Sequence, residues 1–558
     1  MRFQSSAILR LFSGSFLIIL YSCFLASSGQ ESAKSIAPIR FRNVARAAGL
    51  NFIHENDPTP EKHMIETMPG GIAAFDYNGD GRTDIYFTNG AAIPSLEKES
   101  AKYSNRLFRN DGGMKFTDVT QEAGVTGAGY SMAAAAADYD NDGNVDLFVA
   151  GVNRNILYRN LGNGKFEDVT AKTGIKNVGW AVAGGWFDFD NDGWLDLFVV
   201  NYLEWTTALD RFCGDSAEGV RVYCHPKYYR GLPNSLYRNK GDGTFEDVSK
   251  KSGILQHVGK GMSLAFADYD LDGFMDVFVA NDKIPNFLFH NRGDGTFEEV
   301  GLQSGTSLLE HGKAISSMGS DFRDYDNDGL PDIFVAALAG ETFPLFRNEG
   351  NGFFWDNGYR SQLGRLSTRW SGYGIGLVDF NNDGWKDLFT ANSHVNDRIE
   401  HFETTEYKQP NSVFANIKGG IFREVSKEAG VGLEAARAHR GAAFADFNND
   451  GKIDVVVSSL KDDAELWENI SPDDNHWVIL RLIGLKSNRE GIGARVRIGD
   501  QVNHMTTSFS YASSSDFGIH FGIGKAGQIG KIEIFWPSGT NQILHNVQAN
   551  RVIQVKEP

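Results

Sequence analysis

Seven nine-residue stretches hold the side chains best placed to do chemistry, and all seven follow one pattern. The clearest copy is Asp138-Tyr139-Asp140-Asn141-Asp142-Gly143-Asn144-Val145-Asp146, and each copy sets Asp or Asn at positions 1, 3, 5 and 9 with Gly at position 6. The donors are Asp76, Asn78, Asp80 and Asp84; Asp138, Asp140, Asp142 and Asp146; Asp188, Asp190, Asp192 and Asp196; and Asp268, Asp270, Asp272 and Asp276. They continue with Asp324, Asp326, Asp328 and Asp332; Asp379, Asn381, Asp383 and Asp387; and Asp446, Asn448, Asp450 and Asp454. Carboxylates this crowded repel one another unless a cation sits among them. Ca²⁺ suits such a nest, because it takes six to eight oxygens in flexible geometry. Position 7 would add a backbone carbonyl, aimed by the turn that the Gly permits.

The loop is not an EF-hand. That motif needs a Glu at position 12 and flanking helices. Here position 12 is Phe87, Val149, Val199, Val279, Val335, Thr390 or Val457, and the chain leaves each loop as an apolar, β-prone run such as Leu147-Phe148-Val149-Ala150. Asp, Asn and Gly also make ordinary turns, but a turn does not require acids at four set positions seven times over.

The formal net charge is −17. Seven bound divalent cations would bring it to about −3, so the acidity reads as metal ligation. No basic stripe offers a phosphate footprint, which excludes a nucleic-acid partner.

The elements that position these loops repeat with them. Leu157-Tyr158-Arg159-Asn160 precedes Gly164-Lys165-Phe166-Glu167-Asp168-Val169, and Leu236-Tyr237-Arg238-Asn239 precedes Gly243-Thr244-Phe245-Glu246-Asp247-Val248. Each pair reads as strand, Gly turn, strand. With a small apolar strand before the Asp loop and a Leu-Phe-Val strand after it, each repeat has four strands. Seven such repeats predict an all-β chain: a seven-bladed β-propeller over residues 39–470. The segment Ile39-Arg40-Phe41-Arg42-Asn43-Val44 reads as a fourth strand lacking its own blade. It is expected to complete the last repeat and close the ring. Residues 471–475 read as a linker, and residues 476–558 as a small β-sandwich-like domain.

Residues 1–30 read as a secretory signal, with Arg2 and Arg10 before an apolar run ending at Ala26-Ser27-Ser28. Leu20-Tyr21-Ser22-Cys23 is the alternative, a lipoprotein box that would anchor the chain to a membrane. Either way the expected location is secreted, periplasmic or cell-surface. Cys213 and Cys224 are then the remaining cysteines. Export favours a disulfide between them over two free thiols.

The Asp loop set between these strands resembles the FG-GAP/VCBS repeat family, known from integrin-type propellers, and the resemblance covers about residues 39–470. It implies that the loop Asp and Asn residues bind Ca²⁺. The tail resembles the ASPIC/UnbV domain, and the whole architecture is similar to the cartilage acidic protein family.

Because each Asp loop joins strands one and two, all seven are expected on one face of the disc. The other face receives the longest insertion, about 202–234. It also receives crossing residues that include Trp180, Lys260, Tyr373, His439 and Arg440. Trp205, Tyr228, Tyr229, Trp370, His439 and Arg440 are the candidates for a surface that binds an extracellular protein or a glycan. The alternative is that they pack the insertions onto the disc. The expected function is a non-enzymatic binding or adhesion module with structural Ca²⁺. The alternative is a propeller enzyme acting on extracellular polysaccharide, but no GxSxG, HExxH or phosphate loop is present. Glu66 and Glu204, the acids considered for such an enzyme, are expected at the surface.

Overall fold

In a computed structural model, residues 38–176, 179–430, 432–516 and 518–558 are described. The expected signal segment and Cys23 lie outside them. One repeat shows why the fold forms. Tyr130–Ala137, Asp146–Val152, Ile156–Asn160 and Phe166–Asp168 pair in order as an antiparallel sheet, with Ala135 opposite Phe148, Phe148 opposite Leu157, and Tyr158 opposite Asp168. Valines and aromatics fill the second strand, where both faces are covered by neighbouring sheets. Among the described residues seven four-stranded sheets share this order.

The first strands of successive sheets lie side by side. Ile72–Phe75 is followed by Tyr130–Ala137, Ala181–Phe187, Gly261–Ala267, Ser320–Arg323, Gly372–Val378 and His439–Ala445, which returns to Ile72–Phe75. The circuit is closed. Small residues line it because space runs out at the axis: a Cβ on Gly185 would lie 2.5 Å from the Phe266 ring. Closure comes from both ends of the repeat region, as expected. Phe41–Asn43 is the fourth strand of the last sheet, with Phe41 opposite Asn469.

One amide stitches the circuit. The Asn ending each third strand donates to a carbonyl in its own Asp loop and to one in the preceding repeat's loop. Asn239 Nδ2 reaches Leu195 O at 3.0 Å and Tyr139 O at 2.8 Å. Asn160 does the same with Val145 and Tyr77, and Asn469 with Ile453 and Phe380. Asn110 reaches Phe447, so the stitch also spans the closure.

The tail forms two sheets. His476–Ile483 pairs with Ile519–Gly524 and, in parallel, with Arg551–Lys556; Arg495–Ile498 lies between Gln501–His504 and Gln528–Phe535, with Asn541–Gln548 outermost. Between Gln501–His504 and Ile519–Gly524, residues 505–515 enter the centre of the ring. The inner edges of the first strands have unpaired backbone groups there, and this hydroxyl-rich run satisfies them. Ala134 N donates to Ala512 O, Ala74 N to Ser514 O, and Ser510 N to Ser320 O. Ile375 N donates to Ser510 Oγ at 2.9 Å and Phe444 N to Ser515 Oγ at 3.0 Å. Tyr511, at the tip, donates to Met68 O at 2.9 Å and meets Tyr373 edge-on at 4.9 Å.

Replacing Asn239 by Ala strands two buried carbonyls, so denaturant unfolding is expected to show a loss of about 2–3 kcal/mol. A loss under about 0.5 kcal/mol, the level of an ordinary surface change, would contradict the stitching role.

Candidate metal sites

Each Asp loop is built first by backbone donors. The first-position carboxylate accepts from position 6 and, in every loop but that of Asp324, from position 5: Asp138 takes Asp142 N at 3.1 Å and Gly143 N at 2.8 Å. The ninth-position carboxylate joins loop to sheet. Asp146 accepts Tyr139 N at 3.2 Å and Asn160 N at 2.7 Å, and Asp84, Asp196, Asp276, Asp332, Asp387 and Asp454 repeat the arrangement. Position 4 takes the left-handed conformation, where Asn is tolerated. Its amide reaches the next loop, Asn141 to Gly193 O and Asn191 to Gly273 O, both at 3.0 Å.

These bonds gather the acids. Oxygens of Asp138, Asp140 and Asp146 lie within 4.8 Å of one another, as do those of Asp188, Asp190 and Asp196, of Asp268, Asp270 and Asp276, and of Asp324, Asp326 and Asp332. Positions 1, 3 and 9 therefore converge in the four loops with Asp at all four sites. Position 5 sits to the side, with one oxygen accepting the position-7 amide, as Asp142 does from Asn144 N at 2.9 Å. Where position 3 is Asn, the amide can turn its nitrogen toward position 5, as Asn78 does to Asp80 at 3.1 Å and Asn448 to Asp450 at 3.2 Å.

Part of the positive charge comes from the protein, which the loop sequence alone does not show. Arg159 bridges Asp140 at 2.6 Å and Asp142 at 3.0 Å; Arg238 does so with Asp190 and Asp192, and Arg347 with Asp326 and Asp328. In the fourth repeat His290 replaces the arginine, 3.2 Å from Asp276 and 3.5 Å from Asp270. The arginines take one oxygen of each acid. Asp190 Oδ1, Asp324 Oδ1 and Asp326 Oδ1 remain buried without a donor. Burial pushes the carboxyls of Asp138, Asp188, Asp268 and Asp276 up to about 7 and that of Asp84 up to about 8. Neighbouring carboxylates add to the rise. Oxygens that are buried, convergent and undonated fit a hard divalent cation.

The tail covers this face. Arg489 N donates to Asn141 Oδ1 at 2.8 Å, Asp138 N to Glu490 Oε2 at 3.0 Å, and Asn475 Nδ2 to Asn381 O at 2.9 Å. Burial, with the nearby Asp138 and Asp516 carboxylates contributing, pushes Glu490 up to about 8.

On the other face, the six candidate binding residues do not form one open surface. Trp205 and Tyr229 are buried, and both donate to Asp210 Oδ1, at 2.8 and 2.7 Å; the imidazole of His63 pairs with the other oxygen. Cys213 and Cys224 are disulfide-bonded in the same insertion. Tyr228 is exposed, with Arg211 over its ring, and Trp370 is half-buried under Arg369. His439 and Arg440 are fully buried, the first 3.2 Å from the Glu465 carboxylate. The insertion has its own core, and the crossings are packed beneath it. Glu204 is exposed, as expected, but Glu66 is not: it is fully buried and accepts from Thr59 Oγ1 at 2.6 Å, His63 N at 3.0 Å and Tyr223 OH at 2.9 Å. Its neighbours supply the donors that make burial tolerable.

Leu271 is the one position-4 residue that is neither Asn nor Gly, and it sits at φ 62°. Leu271→Asn is expected to raise stability by about 1 kcal/mol in thermal or denaturant melts, because Asn tolerates that conformation. A destabilisation would contradict the reading of this position.

A family model described as the FG-GAP-like repeat matches residues 76–149, 138–199, 222–279, 268–335 and 324–390, together just over half of the chain. A second, ASPIC and UnbV, matches residues 484–558. Cartilage acidic protein 1 of Homo sapiens is 24% identical over 351 residues, covering 58% of this chain and 48% of that protein. The Xenopus tropicalis protein of the same name is 27% identical over 363 residues, covering 62% and 50%. The chain thus spans about half the length of these curated relatives. Among solved structures, it resembles an Agrocybe aegerita lectin that recognises non-reducing terminal N-acetylglucosamine (16% identity, TM-score 0.39, 71% of this chain and 87% of that one). It also resembles the rhamnogalacturonan lyase YesW (12% identity, TM-score 0.36, 72% and 71%). At such scores neither likeness bears on function. The repeats, their hydrogen-bonded Asp loops and the tail place this chain in the FG-GAP-like repeat family, with an ASPIC and UnbV domain behind the repeats.

Proposed function

We propose that this chain is an exported, Ca²⁺-stabilised propeller whose seven sheets are seven blades, and that it binds other molecules through the face opposite the Asp loops. The observation that carries the metal part is the set of buried, undonated oxygens on Asp190, Asp324 and Asp326, set in carboxylate triads. Ca²⁺ is structural in this reading. It neutralises each loop, and through the ninth-position carboxylate it fixes both the first hairpin and the third strand. Loops with Asn78, Asn381 or Asn448 have one charge fewer and hold the ion more weakly.

What covers each side supports this choice of binding face. The tail occupies the Asp-loop face. The opposite face presents the insertions, with Tyr228 exposed beside Arg211 and Lys227. The Cys213–Cys224 disulfide and the name of the curated relatives support an extracellular or periplasmic setting. The partner class is a protein or a glycan. A non-catalytic role is supported by the commitment of so many carboxylates to the repeated loops.

The test is melting temperature against pH, with Ca²⁺ and with excess chelator. In chelator, the folded state holds protons on Asp138, Asp188, Asp268 and Asp276 up to about 7, whereas the unfolded chain releases them near the ordinary carboxylate value. Folded-state proton excess means that stability falls as pH rises from about 4 to about 7. Ca²⁺ at a hundredfold excess over its dissociation constant adds about 2.7 kcal/mol per site, and the gain grows with pH as protons leave. Identical melts with and without Ca²⁺ at pH 8 would overturn the proposal.

A further inference from the structure

The first strands line the axis, so the fourth strands lie on the outer rim. There, between the fourth and fifth repeats, a groove of about 670 Å³ opens to solvent. One wall is the short helix Gly301–Ser304 with the turn after it, and the other is the strand Phe354–Asp356. The sister repeats show what folding asks of these positions. Trp355 stands opposite Arg347, and the residues in the same register of the other six sheets are Arg42, Thr117, Glu167, Glu246, Glu298 and Arg423. Leu302 is the second residue of its helix, where the matching four-residue helices have Arg46, Gln121, Ala171 and Lys427. Polar or small groups therefore suffice for the fold. In this groove both positions are large and apolar, yet Trp355 is 51% exposed and Leu302 is 73% exposed. The half-buried Leu308 and Leu309 extend the apolar lining. An apolar surface that folding does not require marks a contact with something else.

The charge of the lining says what that is. Glu310 is exposed on the turn that Leu309 N closes to Lys313 O at 3.2 Å. Asp356 is half-buried, and one of its oxygens accepts Gly358 N at 2.9 Å. Burial, and then the nearby Glu310, hold the Asp356 carboxyl above its ordinary value. Among the described residues neither acid forms an ion pair, and Lys313 of the same turn meets neither. We propose that this groove docks a protein segment carrying Lys or Arg beside a large apolar side chain. The apolar side chain packs on Leu302, Leu308 and Leu309. The stem of the cation lies on the Trp355 ring, and its charged head meets Glu310 and Asp356. A neutral sugar stacked on the indole leaves both carboxylates uncompensated, so the charge favours the basic segment. The groove is separate from the face opposite the Asp loops, and its role does not rest on that face.

The experiment is fluorescence anisotropy of the Ca²⁺-loaded protein with three labelled peptides at physiological salt: KLRFK, its charge-reversed form ELEFE, and KGRGK, which lacks the apolar side chains. Saturable binding of KLRFK is expected, with the other two weaker by about tenfold or more. Trp355→Thr and Leu302→Gln each install a residue that a sister repeat already has, so both variants should fold, as circular dichroism checks. Trp355→Thr should weaken KLRFK about tenfold, and Glu310→Gln should weaken it less and flatten its salt dependence. If Trp355→Thr does not fold, the more exposed Leu302→Gln supplies the comparison. No saturable binding of KLRFK, equal binding of KGRGK, or unchanged affinity in the variants would overturn the proposal, because general attraction to an acidic chain needs neither Trp355 nor Leu302. Displacement of the peptide by cellotriose would assign the groove to a glycan instead. Self-association in sedimentation that Trp355→Thr abolishes would assign it to a second copy of this chain. Either result would also overturn the proposal.

Discussion

Everything in this ring depends on how a buried carboxylate is kept satisfied. Each repeat places an aspartate at the ninth loop position with almost no exposure, and both of its oxygens accept backbone N–H groups, one from the loop and one from the end of the third strand. That residue sets where the first hairpin turns and where the third strand stops. The cost of burying it is large, as the rise of the Asp84 and Asp276 carboxyls shows. The two backbone donors meet part of that cost. Arg159, Arg238 and Arg347 meet positions 3 and 5 of their loops from outside, and the inward oxygens of positions 1, 3 and 9 converge where the proposed cation would sit.

The same carboxylate nests tie the repeats into one body. Position-4 asparagines link five of the seven loops to the next, and third-strand asparagines link each repeat to the one before. The loop face is thus a hydrogen-bonded belt, with Gly79 and Leu271 as its two breaks. On this belt the tail is seated. From it the run 505–515 descends through the ring to Met68 and Tyr373, so the axis is filled by protein. Propeller and tail share hydrogen bonds at both the loop face and the axis.

Much of this was legible in the residues. The Asp loops, the strand after each, the Leu-Tyr-Arg-Asn strand, ring closure by Phe41–Asn43 and the tail strands all carry local signals: set acid positions, Gly turns and apolar alternation. What stayed hidden was long-range or non-periodic. The partner of Asn239 in the preceding repeat, Tyr139, is 100 positions away, so nothing local reveals the stitch. The run 505–515 is mostly serine and threonine, which resembles a loop until the unpaired inner strands are seen. A hydroxyl-rich stretch between two strands was the available clue. Glu66 looks like a surface acid because its donors Thr59 and Tyr223 come from separate segments. Trp205 and Tyr229 look like platforms because the disulfide-closed insertion that buries them has no repeat to announce it.

The central claim is that cations, and not protons and arginines alone, occupy the carboxylate triads. Anomalous diffraction from crystals grown in Ca²⁺ tests it most directly. The account predicts anomalous peaks within coordination distance of Asp138, Asp140 and Asp146 and of the matching triads at Asp188, Asp268 and Asp324. Loops of the same shape with no peak among those oxygens would contradict it.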